Sequence, residues 1–282
     1  MVDFSQIVKL SDKEFQMFAK LIYEESGIFL KDIKITLLSN RLRKRLKVLK
    51  LNTYSDYYDY INSLSDKTEE IENLIDVVST NETYFFRNDR HFEALTKHCL
   101  PDISKRKRIE KRLRIWSAGC SSGEEPYTLA ICVMEHPHLF QGWGIEIIAT
   151  DIAPSVLDFA RKGVYSGRKI EKVPKNILQK YFIQDPHHPE FFTVKDNVKK
   201  LVNFYQINLF KDKYPLKLDI IFCRNVMIYF DREHQRKLVA GFYNSILKDG
   251  YLFIGHSETL HSISNNFVYK KILESPVYVV RE

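Results

Sequence analysis

The chain lacks any run approaching roughly 18 uninterrupted apolar residues, and its first ten residues lack the basic and then apolar order of a secretory leader. Direct membrane insertion is therefore not expected, and a cytoplasmic protein is. Four cysteines, Cys99, Cys120, Cys132 and Cys223, stand far apart with no C-x-x-C pair. They read as reduced core or near-site thiols rather than a disulfide frame or a zinc site, so no metal chemistry is expected. There is no internal repeat, and the basic runs at 105–108 and 111–114 are too short and interrupted to be disordered tails.

What is present is 282 residues with 44% hydrophobic content, enough to bury the core of one large domain or two modest ones. The formal charge of +7 points to an acidic partner, and charge alone leaves nucleic acid, an anionic membrane and an acidic protein surface all open.

Ser11 followed by Glu14 is a capping-box pattern, and Phe15, Phe18, Ala19 and Ile22 recur at helical spacing until Gly27. A second helix is expected over 33–51, with Ile35, Leu38, Leu42, Leu46 and Leu49 on one face, and two more over 53–63 and 68–79. Residues 1–78 thus read as a small all-α domain. From 113 the pattern changes to short apolar strands at 113–118, 145–150, 218–223 and 251–255, alternating with helical runs at 124–134 and 232–247. That alternation predicts an α/β domain over 113–282 with a mostly parallel sheet, closed by a hairpin of 267–272 and 277–281. Residues 163–205, with strand-like runs at 191–194 and 201–204, read as a small β insertion, and 79–112 as a linker.

The segment W-S-A-G-C-S-S-G-E-E-P-Y at 116–127 sets Gly119 and Gly123 between a strand and a helix, where glycine allows close backbone approach and the helix start offers N–H groups. A tight turn alone is the competing reading. The segment departs from G-x-G-x-x-G and lacks the G-K-[ST] ending of a phosphate loop, and Glu124 and Glu125 would repel a pyrophosphate. Asp151 closes the second strand, where a carboxylate can accept from ribose hydroxyls or simply form a turn. Loop and acid together suit a nucleoside cofactor with a cationic or hydroxyl-rich end, and S-adenosylmethionine meets that description.

Six separated segments then carry a family resemblance over nearly the whole chain: T-N-E-T-Y-F-F-R at 80–87, the 116–127 loop, A-T-D-I at 149–152, N-L at 208–209, F-C-R-N-V-M-I-Y-F at 222–230 and G-H-S-E at 255–258. The chain resembles the CheR-type chemotaxis protein methyltransferases. The resemblance implies a Rossmann-like S-adenosylmethionine methyltransferase domain with a small antiparallel β insertion, preceded by an all-α substrate-recognition domain. It also implies transfer of a methyl group to glutamate side chains of chemotaxis receptors in sensory adaptation, with S-adenosylhomocysteine as product. Carried over by position, Asn81, Thr83 and Arg87 line the cofactor site from the linker, Glu124 and Asp151 bind its polar groups, Asn208 and Leu209 contact the adenine side, and Arg224 and Asn225 complete the pocket.

A glutamate is already ionised at neutral pH, so positioning should dominate over acid–base help. Tyr229 and Arg87 are the candidates for orienting the carboxylate, while His256 and Glu258 read as structural support. The helix over 33–51 carries seven basic residues and no acid, with Lys34, Arg41, Lys44 and Arg45 along one flank. A solvated face is the plain reading, but the family's substrates are glutamate-rich receptor helices that such a flank would steer. Some family members grip a receptor tether peptide with the β insertion, after a glycine-containing turn. The sequence Q-D-P-H-H-P-E at 184–190 has no glycine, which argues against tether binding. A nucleic-acid methyltransferase would call for a D/N-P-P-Y/F motif where this chain has R-N-V-M at 224–227, so no nucleic-acid partner is expected. The remaining rival is a non-catalytic sensor that binds S-adenosylmethionine or another nucleotide.

Overall fold

The computed structural model describes residues 9–281, so the leader-free reading of the first ten residues falls almost wholly outside it. The helical unit begins with α1 (Asp12–Ser26), whose capping box forms as expected: Glu14 N donates to Ser11 Oγ at 3.3 Å and Ser11 N to Glu14 Oε2 at 2.9 Å. Gly27, at φ 72°, ends it in the left-handed conformation glycine adopts without strain. A 3-10 turn, Asp32–Lys34, leads into α2 (Ile35–Leu49), followed by α3 (Tyr54–Ser63), capped by Thr53 and Asp56, and α4 (Thr68–Val78). Helices this short are marginal alone. They are held by a shared core in which Phe18, Ile22, Leu42, Leu46, Tyr57 and Leu74 are fully buried, each side chain contributing about 1.5–3 kcal/mol.

The linker is only partly a linker. Residues 79–88 carry no regular helix or strand, but α5 (Asp89–Ala94), a π-helical stretch (Leu95–Cys99) and α6 (Leu100–Arg106) form one continuous helical segment on the sheet. Phe92, Leu95, Cys99 and Ile103 recur at helical spacing and enter the same core as the strands.

The second unit contains β1 (Arg112–Ala118), α7 (Glu124–Met134), α8 (Pro137–Phe140), β2 (Gly144–Asp151), α9 (Pro154–Lys162), β3 (Val164–Tyr165), α10 (Lys175–Tyr181), β4 (Phe182–Gln184), β5 (Phe192–Val194), α11 (Asp196–Lys199), β6 (Val202–Gln206), β7 (Leu218–Cys223), α12 (Arg232–Ser245), β8 (Ile246–Ile254), β9 (Phe267–Ile272) and β10 (Ser275–Val280). The main sheet runs β6-β2-β1-β7-β8-β10-β9, with the first five strands parallel and β10 antiparallel to both neighbours. From β1 the chain proceeds outward through β2 to β6, then returns to the other side of β1 for β7 and β8. That reversal opens a crevice at the C-terminal ends of β1 and β7, where open α/β sheets bind ligands.

The structure redraws three boundaries. Residues 201–204, expected within the insertion, belong instead to the main sheet: Val202–Gln206 pairs in parallel with β2, from Val202 opposite Ile147 to Gln206 opposite Asp151. The small antiparallel sheet is only β3-β5-β4. Residues 246–247, expected at a helix end, start β8 because Ile246 pairs with Leu218 of β7. The closing hairpin turns at Leu273 and Glu274, both at positive φ, so β10 begins earlier than expected. Among the described residues no helix is long and apolar enough to cross a membrane.

Candidate active site

One cavity lies over the crevice, walled by residues 79–87, the loop after β1, the end of β2, the loops after β6 and β7, and the near side of α2. Its floor depends on Gly119, at φ 77°, where an added Cβ would collide with Val226 Cγ2. The amides of Gly119 and Cys120 both donate to Thr150 O at 2.8 Å, folding the loop back over β2. Ser121 N then donates to Asp151 Oδ2 at 2.8 Å and Ala153 N to Asp151 Oδ1 at 3.1 Å, while Ser121 Oγ ties down Asn81 O at 2.9 Å. Burial pushes the Asp151 carboxyl above its ordinary range, against the pull of these backbone donors.

Asn81, Thr83, Arg87, Asp151, Asn208, Leu209, Arg224, Asn225 and Tyr229 all line this cavity, but Glu124 does not. Glu124 is fully buried on the other side of α7, held by Lys169 and by Ser122 Oγ at 2.8 Å. Glu125 faces the cavity instead, accepting from Ser117 Oγ at 2.7 Å and lying 3.2 Å from Arg224 Nη1. Neighbouring residues on a helix differ by about 100° in direction, so a tandem Glu-Glu cannot say which one faces a ligand. Burial raises the Glu125 carboxyl, with Arg224 opposing the shift.

Asn208 also differs from its expected role. Its Nδ2 donates to Glu25 O at 2.8 Å and its Oδ1 accepts from Phe210 N at 3.0 Å, so the amide fastens the end of α1 rather than standing free for an adenine. Leu209 supplies apolar wall beside it, joined by Ile152, Ile207 and Val226, which the sequence reading did not single out.

Arg224 is buried, donates from Nη2 to Arg87 O, and burial lowers its pKa. Its Nε has no hydrogen-bond partner, and neither has the buried Oδ1 of Asn225, which sits at φ 60°. Glu258 fixes that conformation, accepting from Gly255 N at 2.5 Å, Asn225 N at 3.0 Å and Ile228 N at 3.2 Å. Arg87 donates from Nη1 to Glu82 O at 2.7 Å, and its guanidinium packs 5.8 Å from the Tyr84 ring centroid. His256 stacks on the fully buried His91 at 4.9 Å; burial, then Arg224 and His256, pulls His91 down to about 3, so it is neutral.

At the mouth, Tyr229 ends a 3-10 turn, Met227–Tyr229, its carbonyl accepting from Phe29 N at 2.8 Å and its ring lying 5.8 Å from Lys34 Nζ. The basic flank divides. Lys34 and Arg41 line the cavity, with Arg41 donating to Val78 O and, at 2.7 Å, to Thr80 Oγ1. Lys44 is exposed outside it. Arg45 is turned into the helical unit, where it forms a bidentate pair with Glu70 at 2.5 and 3.0 Å that Tyr57 Oη joins at 2.6 Å, so it is not available to a substrate.

The unpartnered Asn225 Oδ1 and Arg224 Nε, the close floor at Gly119, the carboxylates of Asp151 and Glu125 and the apolar wall form a set of groups fit for a nucleoside with a cationic, hydrogen-bonding tail. Comparison with known proteins agrees. Residues 81–276 match the model of the CheR methyltransferase SAM-binding domain, and residues 13–79 match that of the CheR methyltransferase all-alpha domain. A chemotaxis protein methyltransferase of Borreliella burgdorferi is 40% identical over 269 residues, covering 93% of each chain. Chemotaxis protein methyltransferase 2 of Vibrio cholerae is 35% identical, covering 96% of this chain and 94% of its own, and the Escherichia coli protein is 33% identical, covering 96% and 92%. With both units of the fold matched in order, the chain belongs to the CheR methyltransferase family.

Proposed function

We infer that the protein transfers the methyl group of S-adenosylmethionine to glutamate side-chain carboxylates of chemotaxis receptors, leaving glutamate methyl esters and S-adenosylhomocysteine. The observation that carries this reading is a single cavity with two chemistries: carboxylates and unpartnered polar atoms in its depth, and Tyr229, Lys34 and Arg41 at its mouth. When bound, S-adenosylmethionine supplies a methyl group already activated on a sulfonium. The protein's own task is to hold and orient.

Asp151 would accept from the ribose hydroxyls, Leu209 with Ile152 and Ile207 would offer apolar wall to the base, and Asn225 Oδ1, Arg87, Asn81 and Thr83 would hold the amino-acid end. Glu125 supplies compensating negative charge. Glu124 and the Asn208 amide act one step back, supporting the loops. Tyr229 donates its hydroxyl to the incoming carboxylate, which is ionised at neutral pH and needs no general base. Arg87, which lines the same cavity, helps orient it through charge, while its bond to Glu82 O keeps it from pairing fully with the nucleophile.

Residues 9–78 act as the recognition unit, with Lys34, Arg41 and Lys44 steering acidic receptor helices, in a cytoplasmic setting and without a nucleic-acid partner. The β4–β5 turn is closed by Asp185 Oδ1, which accepts from His187 N at 2.8 Å and His188 N at 2.9 Å, and this polar turn takes no receptor tether peptide.

The test is transfer of labelled methyl from S-adenosylmethionine to receptor cytoplasmic fragments, followed by mild base. Base-labile label supports carboxyl methylation. Cofactor binding with no transfer would reassign the protein as a sensor module.

A further inference from the structure

The basic run K-R-K-R-I-E-K-R at 105–112 plays no part in methyl transfer. It forms the end of α6 and the turn into β1, at the N-terminal end of the parallel strands, whereas the cavity lies at their C-terminal ends. The seven residues of β1, at about 3.3 Å each, set the two ends roughly 20 Å apart. Neighbouring loops gather around the run: Gly144 N donates to Lys111 O at 2.9 Å, Arg106 Nη2 to Asp249 O at 2.9 Å, and Arg114 Nη1 to Leu216 O. The acids here are engaged. Asp219 holds Lys107 at 2.9 Å, Asp102 holds Arg106 at 2.8 Å and Glu146 holds Arg114 at 2.8 Å, while Glu110 lies 3.3 Å from Lys107 and Asp249 3.8 Å from Arg106. Among the described residues Lys105, Arg108, Lys111, Lys217 and Lys248 are exposed and have no acidic partner. Set among these cations are two uncovered aliphatic side chains, Ile109 at 91% and Leu216 at 58% exposure.

We propose that this end of the molecule is a peripheral docking surface for an anionic phospholipid bilayer, with Ile109 and Leu216 at the headgroup boundary among the unpaired cations and the cavity facing away from the lipid. The occupant's chemistry follows from the surface. Unpaired cations alone would suit any polyanion. The aliphatic side chains decide between them, because single-stranded nucleic acid is held by exposed aromatic rings among the cations, whereas a bilayer takes aliphatic side chains at headgroup depth. Trp143, beside Gly144, is half-buried against Phe140 with ring centroids 5.2 Å apart, so it offers no open face for stacking. Adsorption of this kind requires no spanning segment. It holds the protein in a plane with the cavity mouth turned to solvent, where an acidic helix can reach it. The two kinds of group contribute differently: the cations draw the protein to the surface and weaken as salt rises, while Ile109 adds an attraction that salt does not screen.

The experiment is co-sedimentation of the full chain with vesicles of phosphatidylcholine alone or of phosphatidylcholine mixed equally with phosphatidylglycerol, at low and high salt. Wild type should bind the anionic vesicles and not the neutral ones. The triple substitution Lys105→Gln, Arg108→Gln, Lys111→Gln should lower the partition coefficient about a hundredfold at low salt. Ile109→Ser should lower it about tenfold at both salt concentrations. All four side chains are exposed, so the fold is retained. A second triple, Lys13→Gln, Lys175→Gln, Lys270→Gln, removes the same charge from exposed positions on α1, α10 and β9 and should change partition by no more than about threefold. Absence of wild-type binding to anionic vesicles, or equal losses in the two triples, overturns the proposal. Binding of duplex RNA that the first triple abolishes, with Ile109→Ser altering neither RNA nor vesicle binding, assigns the surface to nucleic acid and overturns it as well. None of these readouts depends on methyl transfer, so the proposal stands or falls apart from that reading.

Discussion

The guanidinium of Arg224 meets the carboxylate of Glu125 at 3.2 Å inside the cavity wall, with side chains only 2% and 14% exposed. Burial lowers the pKa of Arg224 and raises that of Glu125, and each opposes the other's shift. Removing one partner strands the other. Arg224→Met should lower the unfolding free energy by about 3 kcal/mol and abolish measurable cofactor binding. The double substitution Arg224→Met, Glu125→Gln should recover most of the stability and none of the binding. Urea denaturation and calorimetry check this, and equal stability of the single and double substitutions would refute the pairing.

Asp151 gives a prediction with a defined sign. Its folded-state carboxyl is raised above 3.8 by burial, so the folded protein holds that proton to higher pH than the unfolded chain does. Its contribution to stability is therefore present below the unfolded value and lost as pH rises through the folded one. The melting temperature of wild type minus that of Asp151→Asn should fall with rising pH across that window and then level off. A difference that grows with pH would contradict the assignment. Asp151→Ala should also reduce S-adenosylmethionine affinity about tenfold to a hundredfold, since charge-assisted hydrogen bonds are lost.

Tyr229→Phe removes only a hydroxyl. If that hydroxyl orients the receptor carboxylate, kcat should fall about tenfold with cofactor affinity unchanged. Single-turnover transfer at saturating receptor measures it, and an unaltered rate would return Tyr229 to a packing role.

The two ends of the basic flank should behave differently. Arg45→Glu places like charge against Glu70 within the helical unit and should destabilise that unit by about 3 kcal/mol, visible as an early thermal transition. Lys44→Glu, on the exposed face, should leave melting within about 0.5 kcal/mol of wild type while raising receptor KM at low salt.

Glu258 holds two backbone amides, Asn225 N and Ile228 N, of the turn that carries Asn225 and leads to Tyr229, and Gly255 N at the start of its own loop. Glu258→Ala should weaken cofactor binding and slow transfer together, whereas Glu258→Gln, which keeps one acceptor oxygen, should retain part of both. Separate titration and rate measurements distinguish this from loss of fold, and an alanine variant with wild-type kinetics would remove the positioning role.

The sequence by itself determined the features that depend on neighbours along the chain. Capping at Ser11 and Glu14, the apolar stripe of α2, the apolar strands at 113–118 and 218–223 and the close-approach glycine at 119 are each set within a few residues by hydrogen-bond reach or by side-chain periodicity. Family-specific motifs then named the cofactor class. Tertiary structure decided what depends on partners distant in sequence. Val202–Gln206 became an edge of the main sheet because β2 offered a free ladder, and Phe92, Leu95, Cys99 and Ile103 became core because the sheet offered an apolar face. Arg45 was drawn to Glu70, Asn208 to Glu25, and Glu124 to Lys169, leaving Glu125 to line the cavity. A charged or amide side chain about to be buried goes to whichever partner compensates its desolvation, and that partner is fixed by the packing of whole elements rather than by spacing along the chain.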